Sequence, residues 1–193
     1  MKKNKGFTLI EMIVVISTIA LSLPILFSIV FTILQQQTKI YRLTEVKRQG
    51  DYVLNTMENL IKNYAASVHS SQPPSENNKI CQWQNEQTIN GYFLDKFGSY
   101  FRFCRSNTGS NCDADGNYIA SFSSILNNGN SQTIPLNNDK VRISDFLLTC
   151  YQTNPYSPPV VGISFIIYYN TTSTRPEDKA QMTYQTKVKL RSY

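Results

Sequence analysis

Residues 1–16 read MKKNKGFTLIEMIVVI. Three lysines, Lys2, Lys3 and Lys5, precede Gly6, and an apolar run begins at Phe7 and continues to Leu34. Glu11 is the one ionisable residue in that run. A carboxylate four residues inside a membrane-length apolar segment is unfavourable, so such a residue is read as functional by default. From Met12 to Leu34 the chain then runs 23 residues without a charge.

As a helix, the 28 residues Phe7–Leu34 extend about 42 Å at ~1.5 Å per residue. A hydrocarbon core is only ~30 Å thick, so the run is long enough to cross it. Lysines before the run and none immediately after it place the N-terminus in the cytoplasm and the remaining chain outside. An ordinary secretory signal has an apolar core of roughly 7–15 residues and a small-residue cleavage site behind it. Here the core is longer and no A-x-A-like site follows. A plain membrane anchor accounts for the length and the lysines, but not for Gly6-Phe7 and Glu11.

The stretch KGFTLIEMIVVI, Lys5–Ile16, resembles the class III signal of type IV pilins and type II secretion pseudopilins. The resemblance implies that prepilin peptidase cuts after Gly6, methylates the new amine on Phe7, and that Glu11 is the glutamate of that family. A small residue at the cut leaves space for a protease to approach the backbone. Cleavage creates a cation at Phe7 within helical reach of a carboxylate. In a bundle of such helices, Glu11 of one subunit can pair with the Phe7 amine of a neighbour and set axial register. A buried pair of this kind argues for specificity more than for net stability. The partners implied are prepilin peptidase, other pilins or pseudopilins and an inner-membrane assembly platform. Pro24, in mid-run, removes a helix hydrogen bond and kinks or locally melts a helix; family members often carry a proline near this depth. Ser22 and Ser28 lie close enough to satisfy freed backbone groups.

Beyond Leu34 the helical pattern persists. Leu43, Val46, Gly50, Val53, Met57, Leu60 and Tyr64 recur at alternating spacings of three and four, and Leu54, Ile61 and Val68 widen the stripe. A stripe of that width can bury against a sheet. Gly50 in the seam argues against a coiled coil. The helix is expected to stop near Ser70-Ser71, ahead of Pro73-Pro74. The remainder reads as strands: Tyr92–Phe103 with a break at Gly98, Tyr118–Leu126, Gln132–Leu136, Val141–Tyr151 and Val161–Tyr169. In the last segment Tyr184, Thr186, Val188 and Leu190 face one way, and Gln185, Lys187, Lys189 and Arg191 the other. An antiparallel sheet with one buried face follows. The expected fold is therefore α+β and pilin-like: one long N-terminal helix on an antiparallel β-sheet head. Its parts are a leader (1–6), a transmembrane and assembly helix (7–34), an amphipathic helix (35–71) and a β-rich head (72–193).

Four cysteines, Cys81, Cys104, Cys112 and Cys150, all follow the apolar segment. None forms a CxxC pair and His69 is remote from them, so zinc spacing is absent. An even count in a translocated domain favours two disulfides, with three pairings open. The short spacing of Cys104 and Cys112 suits a stapled loop, which leaves Cys81 with Cys150. Asp113, Asp115 and Asn117 suggest a calcium loop, but glycine falls at position 4 and no glutamate closes the pattern. An Asp-Gly turn is the simpler reading, and no metal or cofactor is expected. His69 has no nucleophile partner at a recognisable spacing. Tyr151, Tyr168 and Tyr169 read as strand tyrosines. The formal charge of +6, less the three leader lysines, leaves +3, so the charge gives no argument for a nucleic-acid partner and none is expected.

The ending YQTKVKLRS (184–192) resembles the final strand of larger minor pilins and of the J-type pseudopilin, and Arg42 with Arg48 does so more loosely. A major pilin of that family usually closes its head with a C-terminal disulfide. Cys150 lies 43 residues from the end. The expectation is a structural, minor-pilin-like subunit of a type IV pilus rather than an enzyme. It sits in the inner membrane by one span, head outside, and then in a filament. A pseudopilin of a type II secretion system shares these features. A DNA-uptake or adhesion subunit is the rival of another class, and a basic groove with aromatic side chains would favour it.

Overall fold

A computed structural model describes residues 6, 8–72, 74–81, 86–108, 112, 116–124, 131–154, 156–175 and 178–190. One long helix, α1 (Leu9–Tyr64), is followed by antiparallel sheets, the expected α+β arrangement. The chain divides into two compact units, Met1–Tyr41 and Arg42–Tyr193.

In the first unit every residue from Thr8 to Tyr41 is exposed, although most are Leu, Ile, Val or Phe. The few hydroxyls turn back onto their own helix. Ser17 donates to Ile13 O, Thr18 to Val15 O (2.9 Å), Ser22 to Ile19 O (3.1 Å) and Thr32 to Ser28 O (2.9 Å). With these groups satisfied locally, the surface that Met12–Leu34 shows outward is almost entirely carbon, as a hydrocarbon solvent requires. α1 continues through Pro24. Ser22 bonds one carbonyl away from Ala20, the carbonyl that the proline cannot serve.

In the second unit α1 buries Val46, Gly50, Val53, Met57 and Ile61. The expected stripe ends on Leu60 and Tyr64, yet Ile61 is fully buried and Tyr64 exposed. A straight helix turns every 3.6 residues and drifts ~20° per heptad against a 3.5 repeat, which carries the buried line from Leu60 to Ile61. The helix also ends earlier than the expected Ser70-Ser71. Ala65 N–H still reaches Ile61 O (3.0 Å), but Ala66 N–H donates to Leu94 O (2.8 Å). The backbone thus exchanges helix bonding for sheet bonding at Ala66, and Val68, which widens the helical stripe in the sequence pattern, is buried in a strand instead.

Ten strands follow among the described residues: β1 (Ser67–His69), β2 (Lys79–Ile80), β3 (Gln87–Ile89), β4 (Tyr92–Leu94), β5 (Tyr100–Ser106), β6 (Tyr118–Ser124), β7 (Ser131–Pro135), β8 (Val141–Tyr151), β9 (Val160–Tyr169) and β10 (Gln181–Lys189). They form two sheets rather than the single one expected, in the orders β2-β1-β4-β5-β6-β7 and β10-β9-β8-β3. The division falls between β7 and β8: β7 pairs with β6, and β8 with β9 and β3. The break expected at Gly98 is a turn between β4 and β5. Asp95 Oδ1 accepts from Phe97 N and Ser99 N, both at 2.8 Å, and Gly98 takes φ 84°, where glycine carries no Cβ penalty.

β10 alternates as its sequence requires: Met182, Tyr184, Thr186 and Val188 turn inward while Gln181, Thr183, Gln185, Lys187 and Lys189 are exposed. Tyr184 stacks on Phe165 of β9 (centroids 5.3 Å apart). Its hydroxyl lies 3.1 Å from Lys47 O and 3.0 Å from Asp51 Oδ1. Burial, and then the neighbouring Asp51 carboxylate, push the phenol up to about 12. Thr186 donates to Glu58 at 2.5 Å, so β10 is bonded to α1 along its inner face.

Gly50 exists where it does because of that ring. A Cβ at position 50 would overlap the outer edge of Tyr184, which stacking and hydrogen bonding hold in place. Overpacking costs roughly 1–3 kcal/mol, against the ~1 kcal/mol that alanine gains over glycine in a helix. Gly50→Ala is therefore expected to lower stability by about 1 kcal/mol in urea denaturation of the detergent-solubilised chain. A stabilised variant would contradict the contact.

Candidate functional site

Gly6 is exposed, and a Cβ added to it would meet nothing within 4 Å. The fold itself places no steric demand for glycine here. Lys2, Lys3, Lys5 and Phe7 lie outside the described residues.

Two residues on, Thr8 and Glu11 close on each other. Thr8 N–H donates to Glu11 Oε2 at 2.9 Å, and the Thr8 hydroxyl donates to the same oxygen at 3.0 Å. Glu11 N–H lies 3.4 Å from Thr8 Oγ1. With α1 starting at Leu9, Thr8 stands at the cap and Glu11 three residues in, the reciprocal arrangement of a capping box. The carboxylate also sits at the positive end of the helix dipole. Oε2 takes both bonds, and Oε1 makes none among the described residues. Thr8 caps the helix, and Thr-x-x-Glu before an apolar run is itself a helix-start signal.

In the second unit the two arginines of α1 do different work. Arg42 Nη1 lies 2.6 Å from Asp178 Oδ1 and 2.7 Å from Asp178 O, and its guanidinium sits 5.4 Å from the Tyr169 ring centroid. Asp178 also accepts from the Ser173 hydroxyl at 2.5 Å, and that bond, ahead of the Arg42 charge, holds its carboxyl below the usual range. The segment between β9 and β10 is thereby tied to the helix. Arg48 instead bonds Glu45 on its own helix, 2.8 Å to each oxygen. Glu45 is buried, yet the Arg48 bond keeps its carboxyl below the ordinary value, with Asn138 (3.1 Å) adding a second donor.

Cys81 is joined to Cys150 and Cys104 to Cys112, each pair with Cα atoms 5.5 Å apart. Of the calcium-loop residues, Asp113 and Asp115 lie outside the described residues, while Asn117 O accepts from Ile143 N (2.9 Å). No group of three metal-ligating side chains occurs among the described residues. His69 lies in β1 rather than at a helix end, almost fully buried. Its Nδ1 contacts Ser75 O and Asn78 Oδ1, both at 2.9 Å, and its Nε2 contacts Ser67 Oγ at 2.8 Å. Two acceptors on Nδ1 place the N–H there and make the ring a structural link. Tyr169 lies under Arg42, and Tyr151 lies 5.0 Å from Lys187 Nζ.

α1 is long and apolar enough to cross a membrane. Residues 1–22 match the family model described as the prokaryotic N-terminal methylation motif. No curated protein and no solved structure matches the chain.

Proposed function

From the class III signal of pilins and pseudopilins that this chain carries, we propose that it is a minor-pilin-like structural subunit of a type IV pilus. Prepilin peptidase removes residues 1–6 and methylates Phe7. Helix 7–34 holds the subunit in the inner membrane, with residues 72–193 outside the cytoplasm, until an assembly platform extracts it. The same helix then packs laterally against those of other pilins, and Glu11 meets the Phe7 amine of a neighbour. Pro24 supplies a local weakness in that helix during packing. The subunit works by assembly and not by catalysis.

The observation that carries this reading is the methylation-motif match over residues 1–22. It is supported by an apolar span with no buried residue, a surface that needs lipid or other helices around it. The Thr8–Glu11 bonds support the pairing role, because they hold one carboxylate oxygen and leave the other available to an ammonium.

Filaments sheared from cells expressing the chain test the pilus assignment. The mature subunit should appear in them at low stoichiometry beside a more abundant pilin. Its absence from sheared filaments, with a processed pool in the membrane, would contradict the pilus reading and leave a secretion pseudopilus.

A further inference from the structure

The two sheets end on four strands, β2, β7, β10 and β3. Three of these edges are guarded by brevity or by proline. β2 has two residues, β3 three, and β7 five, the last of them Pro135. Very short strands and prolines keep an edge from pairing with other chains. β10 differs: its nine residues, Gln181–Lys189, contain no proline and no glycine and pair with β9 without a bulge.

The ladder fixes which groups β10 turns outward. Tyr169 N–H donates to Ala180 O at 2.8 Å at one end, and Leu190 N–H to Pro159 O at 2.9 Å at the other. Residues along an antiparallel strand bond alternately to one side and to the other, so the even-numbered residues of β10 bond β9. Gln181, Thr183, Gln185, Lys187 and Lys189 therefore direct N–H and C=O away from the sheet, and all five are exposed. Among the described residues these outward backbone groups have no partner.

Lys187 and Lys189, two residues apart, share one face of the strand. Lys187 Nζ lies 3.9 Å from Glu86, and Lys189 has no carboxylate partner among the described residues. A second copy of this chain suits the edge poorly. β10 follows α1 in direction, since Tyr184 reaches Lys47 and Asp51 while Thr186 reaches Glu58. An antiparallel copy would set two α1 helices head to tail, against the side-by-side packing proposed above. A parallel copy in register would set each lysine beside its counterpart, and like charges directly opposite are destabilising.

We propose that the outer edge of β10 takes an extended segment of a different protein as an added antiparallel strand, with carboxylates opposite Lys187 and Lys189. Main-chain bonds give such pairing its affinity, and alternate side chains its specificity. The exclusion of a second copy rests in part on the proposed assembly; the open edge does not.

The test is fluorescence anisotropy of a fluorescein-labelled, end-capped heptapeptide of alternating valine and glutamate, titrated with the full-length chain in dodecylmaltoside micelles. In an antiparallel pair the residues opposite Lys187 and Lys189 are those whose N–H groups face β10. Methylating the glutamate amide nitrogens is therefore expected to weaken binding at least about tenfold, the range for several lost hydrogen bonds, and methylating the valine nitrogens to weaken it far less. The double change Lys187→Glu, Lys189→Glu is expected to turn the preference toward the lysine counterpart of the peptide. Equal loss from the two methylations would overturn the proposal, as would binding no different from that of empty micelles. So would a lysine peptide that binds the parent chain as tightly as the glutamate peptide. A dimer of the parent chain that excess peptide dissociates would also overturn it, because the edge would then serve a second copy. The methylation comparison uses the parent chain alone and decides the matter even if the variant does not fold.

Discussion

Glu11→Ala is expected to be processed and inserted normally and to be lost from filaments. The substitution removes the one charge from a run of carbon, so insertion becomes easier rather than harder. The cut site at Gly6 lies outside the capping bonds, and nothing within 4 Å of a Cβ there depends on Glu11. What disappears is the acceptor. Thr8 N–H loses its partner at 2.9 Å, and the Phe7 amine of a neighbour would have no carboxylate to meet in hydrocarbon. An unpaired ammonium at that depth is costly, so misregistered helices gain nothing from close approach and the proper register loses its marker. Glu11→Gln keeps a carbonyl oxygen for Thr8 without the charge. If the cap alone mattered, Gln would restore incorporation; if the charge pair matters, Gln fails as Ala does. The readout is the ratio of filament-borne to membrane-borne subunit by immunoblot. Wild-type incorporation of Glu11→Ala would sink the register role.

The second large effect is in the head. Removing the Cys81–Cys150 bridge by a double change to alanine is expected to cost about 4 kcal/mol, and removing Cys104–Cys112 about 2.5 kcal/mol. The difference comes from loop length, 69 residues against 8, because a longer closed loop removes more entropy from the unfolded chain. Position points the same way. Cys150 is almost fully buried in the core beside Val161, its partner on β9, whereas Cys112 is half-buried. Urea denaturation of both double variants, oxidised and in detergent, reads the ranking. A Cys104/Cys112 pair that costs more than the Cys81/Cys150 pair would contradict it.

Much of this molecule was legible because its largest elements obey strong periodicities. The 28-residue apolar run, the 3.6-residue stripe from Val46 to Ile61 and the alternation of β10 each report which surface is dry. Val141–Tyr151 could be read to the residue, since turn residues bound it on both sides. What escaped was set by contacts distant in sequence. The helix stops at Tyr64 because Leu94 O captures Ala66 N–H, a competitor that no local pattern reveals. Two sheets replace one because β8 pairs with β9 and β3 and not with β7, a choice of partner that alternation within a strand does not encode. Thr8 differs from these. Its capping role was written locally in Thr-x-x-Glu, and the oddity of a carboxylate in lipid drew the reading to Glu11 alone.

The central claim is that Glu11 awaits a partner that cleavage creates. Intact-mass analysis of the membrane-extracted chain, from a host with active prepilin peptidase, tests it most directly. The account predicts a chain that begins at Phe7, lacks residues 1–6 and carries one added methyl group, which tandem fragmentation places on the terminal nitrogen. A chain that still carries Met1–Gly6 would contradict it.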